Sequence, residues 1–286
     1  MIKMVVSDMD GTLLSKGGTI STGNLKAIHD LEQKGIEFVI ASGRDYKGVY
    51  YILDEYHLRC EAILGNGSQY VDRDGNLLLS CYMNKPVVKD VVTVFKSREI
   101  PYMIFTTDGF YTGYEPSFVR DRFIGRSRER SGGTGAEYEE GGRLSHMPCN
   151  HLQKIEDFDK FLSRDLEIIK VEAFSMDRYE IEDARKGLEE IQGISFLSSL
   201  EDNLEVTDKG AQKGYILEKI ISMRGLSKDE IMVVGDGMND LSMFERFPNS
   251  YAPSNACDRI KELAGTIVCG NEEDGFAQAV GKIWNN

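Results

Sequence analysis

Short apolar runs alternate with amphipathic segments along the first third of the chain. Three runs rich in β-branched residues have the length of strands: residues 2–6, 36–41 and 62–64. Apolar residues at helical spacing separate them, over residues 25–31 and 46–56. Strands that alternate with helices pair in parallel through right-handed crossovers. We therefore predict an α/β fold, a Rossmann-like three-layer sandwich with a central parallel sheet.

The middle of the chain follows a different pattern, and the last third returns to the first one. Hairpin-like strand pairs beside helices, as around the turn at Asp108 and Gly109, predict an α+β module. A helix over residues 211–223 and a strand over 231–234 then resume the α/β pattern. We predict a catalytic core from residues 1–83 and 193–286, with an inserted α+β cap domain at 84–192. Within the cap, the glycine-rich stretch 125–142 is expected to be a mobile surface loop.

Composition narrows the class of protein. The chain has 286 residues, 41% of them hydrophobic and 28% charged, which is typical of a globular protein. Its net charge of −13 disfavours a nucleic-acid or anionic-membrane partner. The five cysteines include no C-x-x-C pair, no secretory signal opens the chain and no apolar run approaches a membrane span, so we expect a cytoplasmic protein.

Polar clusters follow four of the predicted core strands. Asp8 and Asp10 come after the first strand, and residues 42–44, 65–67 and 235–240 follow the others. Ligands of open α/β sheets bind beyond the carboxyl ends of the strands. The four loops therefore converge on one site if their strands are neighbours.

Four carboxylates would meet in that site: Asp8, Asp10, Asp236 and Asp240. They could not all stay ionised without a counter-ion, and oxygen ligands without clustered His or Cys favour Mg²⁺. A carboxylate can also act as a nucleophile that forms an aspartyl-phosphate, while a second one moves protons. Lys213 and Ser42 are candidates for balancing the charge of a transferring phosphoryl group.

These motifs, in this order, resemble those of the haloacid dehalogenase superfamily phosphatases, and most closely the Cof-type subfamily with a class IIB cap. The first motif, D-x-D-G-T, stands at residues 8–12, and the second is Ser42 in the segment A-S-G-R. The third is Lys213 at the start of a helix, and the fourth, G-D-x-x-N-D, occupies residues 235–240. The insertion between the second and third motifs corresponds to the cap of this subfamily.

The resemblance implies roles for the acidic residues. Asp8 is implied to be the nucleophile and a Mg²⁺ ligand, and Asp10 the general acid and base, whose backbone carbonyl also faces the metal. Asp236 supplies the remaining metal carboxylate. Lys213 acts with them in catalysis, and Asp240 orients it.

The resemblance also implies a set of substrate contacts. Ser42 and Lys213 would hold the phosphate, Asn239 would contact the phosphate or a metal-bound water, and Gly43 would offer its backbone N–H. Arg44 is a further candidate for substrate binding. A less certain position in a matching loop is Asn66.

The sequence thus predicts a Mg²⁺-dependent phosphatase that hydrolyses a small phosphorylated metabolite, such as a sugar phosphate, with the cap closing over the site. We expect a monomer or a weak homodimer. Two alternatives stay open: a sugar phosphomutase or phosphotransferase on the same scaffold, and a non-catalytic metabolite-binding module. An ion pump of the P type is not expected, because no apolar run of the sequence is as long as a membrane span.

Overall fold

The computed structural model describes residues 1–131, 144, 146–198 and 202–284. Its strands are β1 (Met4–Ser7), β2 (Glu37–Ala41), β3 (Glu61–Leu64), β4 (Gln69–Val71), β5 (Leu77–Ser80), β6 (Tyr102–Thr106), β7 (Phe110–Thr112), β8 (Leu152–Lys154), β9 (Ile168–Phe174), β10 (Ile194–Leu197), β11 (Asn203–Asp208), β12 (Ile231–Val234), β13 (Asn249–Pro253) and β14 (Thr266–Val268).

The α-helices are α1 (Thr22–Gln33), α2 (Tyr46–Glu55), α3 (Lys85–Lys96), α4 (Pro116–Ser131), α5 (Phe158–Leu162), α6 (Arg178–Glu189), α7 (Lys213–Met223), α8 (Leu241–Phe244), α9 (Asp258–Leu263) and α10 (Gly275–Ile283). Single 3₁₀ turns occur at Gly65–Gly67, Pro148–Asn150, Lys228–Glu230, Met238–Asp240 and Asn271–Glu273. No helix in the described ranges is both long and apolar enough to cross a membrane.

The chain divides into two compact units, Met1–Ser80 with Gly210–Asn286, and Cys81–Lys209. The first crossing lies close to the expected boundary at residue 83. The second comes later than the expected boundary at residue 192, because β10 and β11 pair with each other and β11 pairs with β9 in the sheet of the inserted unit.

The first unit is a three-layer sandwich around an eight-stranded sheet, which confirms the predicted fold class. The strand order is β14-β13-β12-β1-β2-β3-β4-β5, parallel from β14 to β3. Alternate strand residues point to opposite faces, so Val5 packs with α1, α2 and α10, while Met4 and Val6 pack with α7, α8 and α9. Both faces are buried, which explains why these strands read as continuous apolar runs. The hairpin β4–β5 adds an antiparallel edge.

The inserted unit is an α+β module built on one six-stranded sheet. The strand order is β10-β11-β9-β6-β7-β8. Apolar side chains of α3, α5 and α6 pack on one face, and α4 contributes Val119 and Ile124 to the cluster on the other face.

The expectation of a surface loop over residues 125–142 is wrong for its first part. Residues 125–131 belong to α4, and residues 132–142 lie outside the described residues. Arg126 explains why the helix forms here despite its polar sequence: its buried guanidinium donates to both carboxylate oxygens of Asp202, at 2.6 and 2.9 Å. A partner 76 residues away in the sequence therefore stabilises this segment.

Candidate active site

The four polar loops meet at one edge of the first unit's sheet. β12, β1, β2 and β3 are consecutive neighbours, and all three pairings are parallel. Parallel strands direct their carboxyl ends to the same edge, so the predicted condition for convergence is met.

A buried lysine joins two of the carboxylates. The Lys213 ammonium donates to Asp8 Oδ1 at 2.5 Å and to Asp240 Oδ1 at 2.7 Å. The Lys213 and Asp240 side chains are fully buried, and that of Asp8 is 5% exposed. Lys213 is the first residue of α7, whereas Asp8 follows β1, so the packing of α7 on the sheet brings them together. The arrangement holds the Asp8 carboxylate in one orientation.

Asp240 uses its second oxygen to shape the loop after β12. Asp240 Oδ2 accepts hydrogen bonds from the backbone N–H groups of Asp236 and Gly237, at 2.9 and 3.0 Å. Both oxygens of Asp240 are therefore engaged by protein donors. Asp240 is therefore in a position to orient Lys213, as the resemblance implies, and also to orient the loop that carries Asp236.

Asp236 lies against the loop that carries Asp8 and Asp10. The Thr12 hydroxyl donates to Asp236 Oδ1 at 2.7 Å. Gly11, whose φ is +79°, passes so close that a Cβ there would lie 2.4 Å from Asp236 Oδ2. Only glycine fits this approach at this backbone angle, which is a physical reason for the Asp-Gly-Thr segment of the motif.

Asp10 stands apart from the other three carboxylates and pairs with Arg44. Arg44 donates through Nε to Asp10 Oδ2 at 2.7 Å and through Nη2 to Asp10 Oδ1 at 2.6 Å. The Asp10 side chain is 56% exposed, so this fork-shaped pair faces solvent at the site. Arg44 was predicted to contact the substrate, but its pairing with Asp10 was not predicted.

The remaining candidates surround these groups. Ser42 is buried, and its hydroxyl accepts the backbone N–H of Arg44 at 3.2 Å, with the half-buried Gly43 between them. Asn239 donates to the side chain of Asn66 at 3.3 Å, linking the loops after β12 and β3. All the sequence-predicted site residues thus belong to the loops at this one edge or to the start of α7.

Burial and mutual repulsion alter the proton affinities of the acidic groups. Burial raises the pKa of Asp8 well above its usual range; the nearby Lys213 opposes this effect, and Asp240 and Asp236 add to it. Burial, with the charge of Asp240, raises the pKa of Asp236 to about 7. Burial disfavours the Lys213 ammonium, but Asp240 and Asp8 outweigh it, so its pKa is raised. One ammonium therefore does not balance the carboxylates that surround it.

The donor set fits a hard divalent cation. Carboxylate oxygens of Asp8, Asp236 and Asp240 lie within 4.8 Å of one another, and this is the only such group of potential metal ligands among the residues that the structure covers. Because both oxygens of Asp240 already accept hydrogen bonds, from Lys213 and from two backbone N–H groups, Asp8 and Asp236 are the carboxylates better placed to bind a metal. Oxygen-only ligands and an excess of negative charge are what Mg²⁺ prefers.

A divalent cation, tested as Mg²⁺, is expected to bind this carboxylate group more tightly as the pH rises. A group with a pKa near 7 carries a proton at about pH 6 and has lost it at about pH 8, so the metal must displace that proton at the lower pH. We expect apparent binding to weaken by about tenfold from about pH 8 to about pH 6, measured by calorimetry. Asp229→Asn, at the exposed amino end of β12, should keep the same pH dependence. Equal affinity at both pH values would contradict this expectation.

Comparison with known proteins places the chain in a family. The sequence profile of the haloacid dehalogenase-like hydrolases matches residues 5–280. The chain belongs to this family. Phosphatase YwpJ of Bacillus subtilis (strain 168) is 26% identical over 278 residues, covering 96% of this chain and 98% of its own length. The 5-amino-6-(5-phospho-D-ribitylamino)uracil phosphatase YwtE of the same strain is 26% identical over 284 residues, covering 99% and 98%.

Solved structures of haloacid dehalogenase-like hydrolases share the whole fold. One from B. subtilis has a TM-score of 0.83 at 25% identity and covers 98% of this chain and 99% of its own. The subclass IIB sugar phosphatase BT4131 has a TM-score of 0.78 at 19% identity and covers 99% of each chain. The predicted resemblance is confirmed, and the chain is a phosphatase of this family. These relatives do not favour either alternative, the phosphomutase or the binding module.

Three interactions in this site were not predicted from the sequence. Thr12 lies in the first motif, yet only the structure shows its bond to Asp236. The ion pair between Arg44 and Asp10 joins two loops that were expected to converge, but convergence alone does not indicate which of their side chains pair. Asn255, after β13, donates to the Gly11 carbonyl at 2.8 Å, and no motif marks it.

Proposed function

We propose that this phosphatase hydrolyses small phosphorylated metabolites with Mg²⁺, through an aspartyl-phosphate on Asp8. The observation that carries the proposal is the buried Asp8 carboxylate, fixed by Lys213 at 2.5 Å and adjacent to Asp236 at the end of β1. A carboxylate in one orientation beside a cation is poised for nucleophilic attack on an anionic phosphate.

In the first step, an oxygen of Asp8 attacks phosphorus and the bond from phosphorus to the leaving oxygen breaks. Asp10, freed from Arg44 and protonated from solvent, gives its proton to that oxygen, so the leaving group departs as a neutral alcohol. The products of this step are the alcohol and the phosphorylated Asp8. Asp10 is then ionised.

In the second step, Asp10 removes a proton from a water molecule, which attacks the phosphorus of the aspartyl-phosphate. The bond between phosphorus and Asp8 breaks, inorganic phosphate leaves, and both carboxyl groups return to their starting states. The exposed side chain of Asp10, in contrast to the buried Asp8, suits a group that exchanges protons with substrate and water.

Phosphate binding is assigned to Lys213, Ser42, the Gly43 N–H and Asn239, with Arg44 as a fifth contact. The Arg44 guanidinium forms a fork with both oxygens of Asp10, and a phosphate offers the same fork of acceptors. Substrate phosphate therefore competes with Asp10 for Arg44. Movement of Arg44 to the phosphate would free Asp10 for proton transfer.

The metal would be held by the carboxylates of Asp8 and Asp236 and by the backbone carbonyl of Asp10. When bound, Mg²⁺ supplies positive charge that lowers the repulsion between these carboxylates and the substrate phosphate. Lys213, buried against Asp8, contributes to the same balance from the protein side.

Sugar or polyol phosphates are the substrates that we favour. YwtE acts on a compound in which the phosphate is carried by a ribityl chain. The net charge of −13 supports a small anion drawn in by local positive groups rather than an extended polyanion. We assign the choice of the alcohol to the inserted unit, the predicted specificity domain.

A panel of phosphorylated metabolites assayed with and without Mg²⁺ tests this proposal. We expect inorganic phosphate to be released from sugar or polyol phosphates with Mg²⁺, and EDTA to suppress turnover by at least about 100-fold. Activity that survives EDTA would contradict the metal requirement. Transfer of the phosphoryl group to a sugar hydroxyl, without free phosphate, would indicate the phosphotransferase alternative instead.

A further inference from the structure

The loop after the nucleophile is fastened by three asparagine side chains that are outside the catalytic motifs. Asn255 donates to the carbonyl of Gly11 at 2.8 Å, Asn24 to that of Leu13 at 3.1 Å and Asn271 to that of Leu14 at 2.8 Å. Side-chain amides thus hold three of the four carbonyls from residue 11 to residue 14, a stretch in which regular strand pairing has ended.

Two of these amides are themselves held by the C-terminal part of the core. The Asn255 side-chain oxygen accepts the backbone N–H of Asn271 at 2.9 Å, and that of Asn24 accepts the N–H of Ala277 at 3.0 Å. Each amide therefore bridges a carbonyl of the catalytic loop and an N–H of another segment. Such a bridge fixes the loop more firmly than a bond to water would.

Asn255 differs from the other two because its segment also contacts the Asp236 loop. The backbone N–H of Cys257, two residues on, donates to the carbonyl of Asp236 at 3.0 Å. The turn after β13 therefore contacts both loops of the site, through Gly11 on one side and Asp236 on the other. It supplies no group that reaches the substrate in the proposed mechanism.

We propose that Asn255 is a positioning residue: by fixing the Gly11 carbonyl it holds the neighbouring Asp10 where its carboxyl group meets the leaving oxygen. This inference rests on the proposed role of Asp10 as general acid. Thr12 is directed at Asp236, and Asn24 and Asn271 hold carbonyls further along the stretch. Asn255 is therefore the side-chain anchor nearest to Asp10 on the C-terminal side.

Asn255 is also the one of the three that can be changed with least risk to the fold. Its residue is exposed, whereas Asn24 and Asn271 are buried. Asn255→Ala removes both bonds, and Asn255→Asp keeps the shape but removes the donor to Gly11. Asn249→Ala is the matched control, because the Asn249 side chain donates to the carbonyl of Asp229 at 2.9 Å near the opposite end of the sheet.

The readout is the dependence of kcat/KM on the leaving group. Phenyl phosphate and 4-nitrophenyl phosphate have similar shapes, but the nitrophenolate leaves without help from an acid. We expect Asn255→Ala and Asn255→Asp to lower kcat/KM for phenyl phosphate by about tenfold and for 4-nitrophenyl phosphate by less than about threefold. Asn249→Ala should change neither. An equal loss for both substrates would overturn the inference, since it would indicate a general structural effect.

A double-mutant cycle with Asp10→Asn separates this inference from the proposed function. If Asn255 acts through Asp10, adding Asn255→Ala to Asp10→Asn should lower kcat/KM for phenyl phosphate by less than about a further twofold. Full additivity would overturn the inference while leaving the role of Asp10 intact. If Asp10→Asn itself lowers kcat/KM equally for the two substrates, the proposed role of Asp10 as an acid is wrong, and the inference about Asn255 is wrong as well.

Discussion

Asp8→Asn is expected to lower kcat by about 10⁴- to 10⁶-fold. The amide has the size of the carboxylate but lacks the negative charge and the nucleophilic lone pairs that form the bond to phosphorus. The fold should survive, because an amide oxygen can still accept a hydrogen bond from the Lys213 ammonium. Steady-state assays with a sugar phosphate and an aryl phosphate measure the loss.

Asp229→Asn is the control for this variant. It makes the same chemical change at the exposed amino end of β12 and should keep kcat within about twofold. Circular dichroism and thermal melting should show Asp8→Asn folded. A kcat of Asp8→Asn within about tenfold of that of the parent protein would show that Asp8 is not the nucleophile.

Lys213→Met is expected to impair both stability and turnover. Its ammonium is fully buried and bonds to two carboxylates, so a methionine leaves Asp8 and Asp240 without their counter-charge. Removing one member of a buried ion cluster costs about 3–5 kcal/mol in the free energy of unfolding. Loss of a positive group at the transferring phosphate should lower kcat/KM by about 10²- to 10³-fold.

Lys170→Met separates these two effects. Lys170 is also buried and bonds to two carboxylates, Glu205 at 2.6 Å and Glu172 at 3.1 Å, but it lies in the inserted unit. We expect denaturant unfolding to show a comparable loss in the free energy of unfolding. At temperatures where the variant is folded, its kcat for an aryl phosphate should stay within about threefold of that of the parent protein. If Lys213→Met loses stability but keeps kcat/KM, its role is structural only.

The pattern of the sequence predicts most of the core because the information is local. The central strands of the parallel sheet contain apolar runs such as Ile231–Val234, and each catalytic loop follows one directly. The convergence of Asp8 and Asp236 then follows from strand order, since β12 lies next to β1. From the sequence, the rule that parallel strands end at the same edge predicts this convergence on the condition that the strands are neighbours, and the structure supplies that order.

The features that the sequence does not reveal depend on partners far along the chain. α4 lacks an apolar stripe wide enough to predict a helix, and Asp202, the partner of Arg126, is 76 residues away in the sequence. The second boundary of the inserted unit moves to residue 209 because β11 pairs with β9. Asn255 and Gly11 are 244 residues apart, and no spacing or periodicity relates them.

The most direct test of the proposed chemistry is to trap the phosphorylated enzyme. Substrate labelled with radioactive phosphate is mixed with the protein and Mg²⁺, quenched in acid within one turnover, and digested for mass spectrometry. With labelled 4-nitrophenyl phosphate, whose leaving group needs no acid, we predict label on the peptide that contains Asp8, sensitive to hydroxylamine as an acyl phosphate is, greater in Asp10→Asn and absent in Asp8→Asn. Turnover without any labelled protein, or label on another residue, would contradict the account.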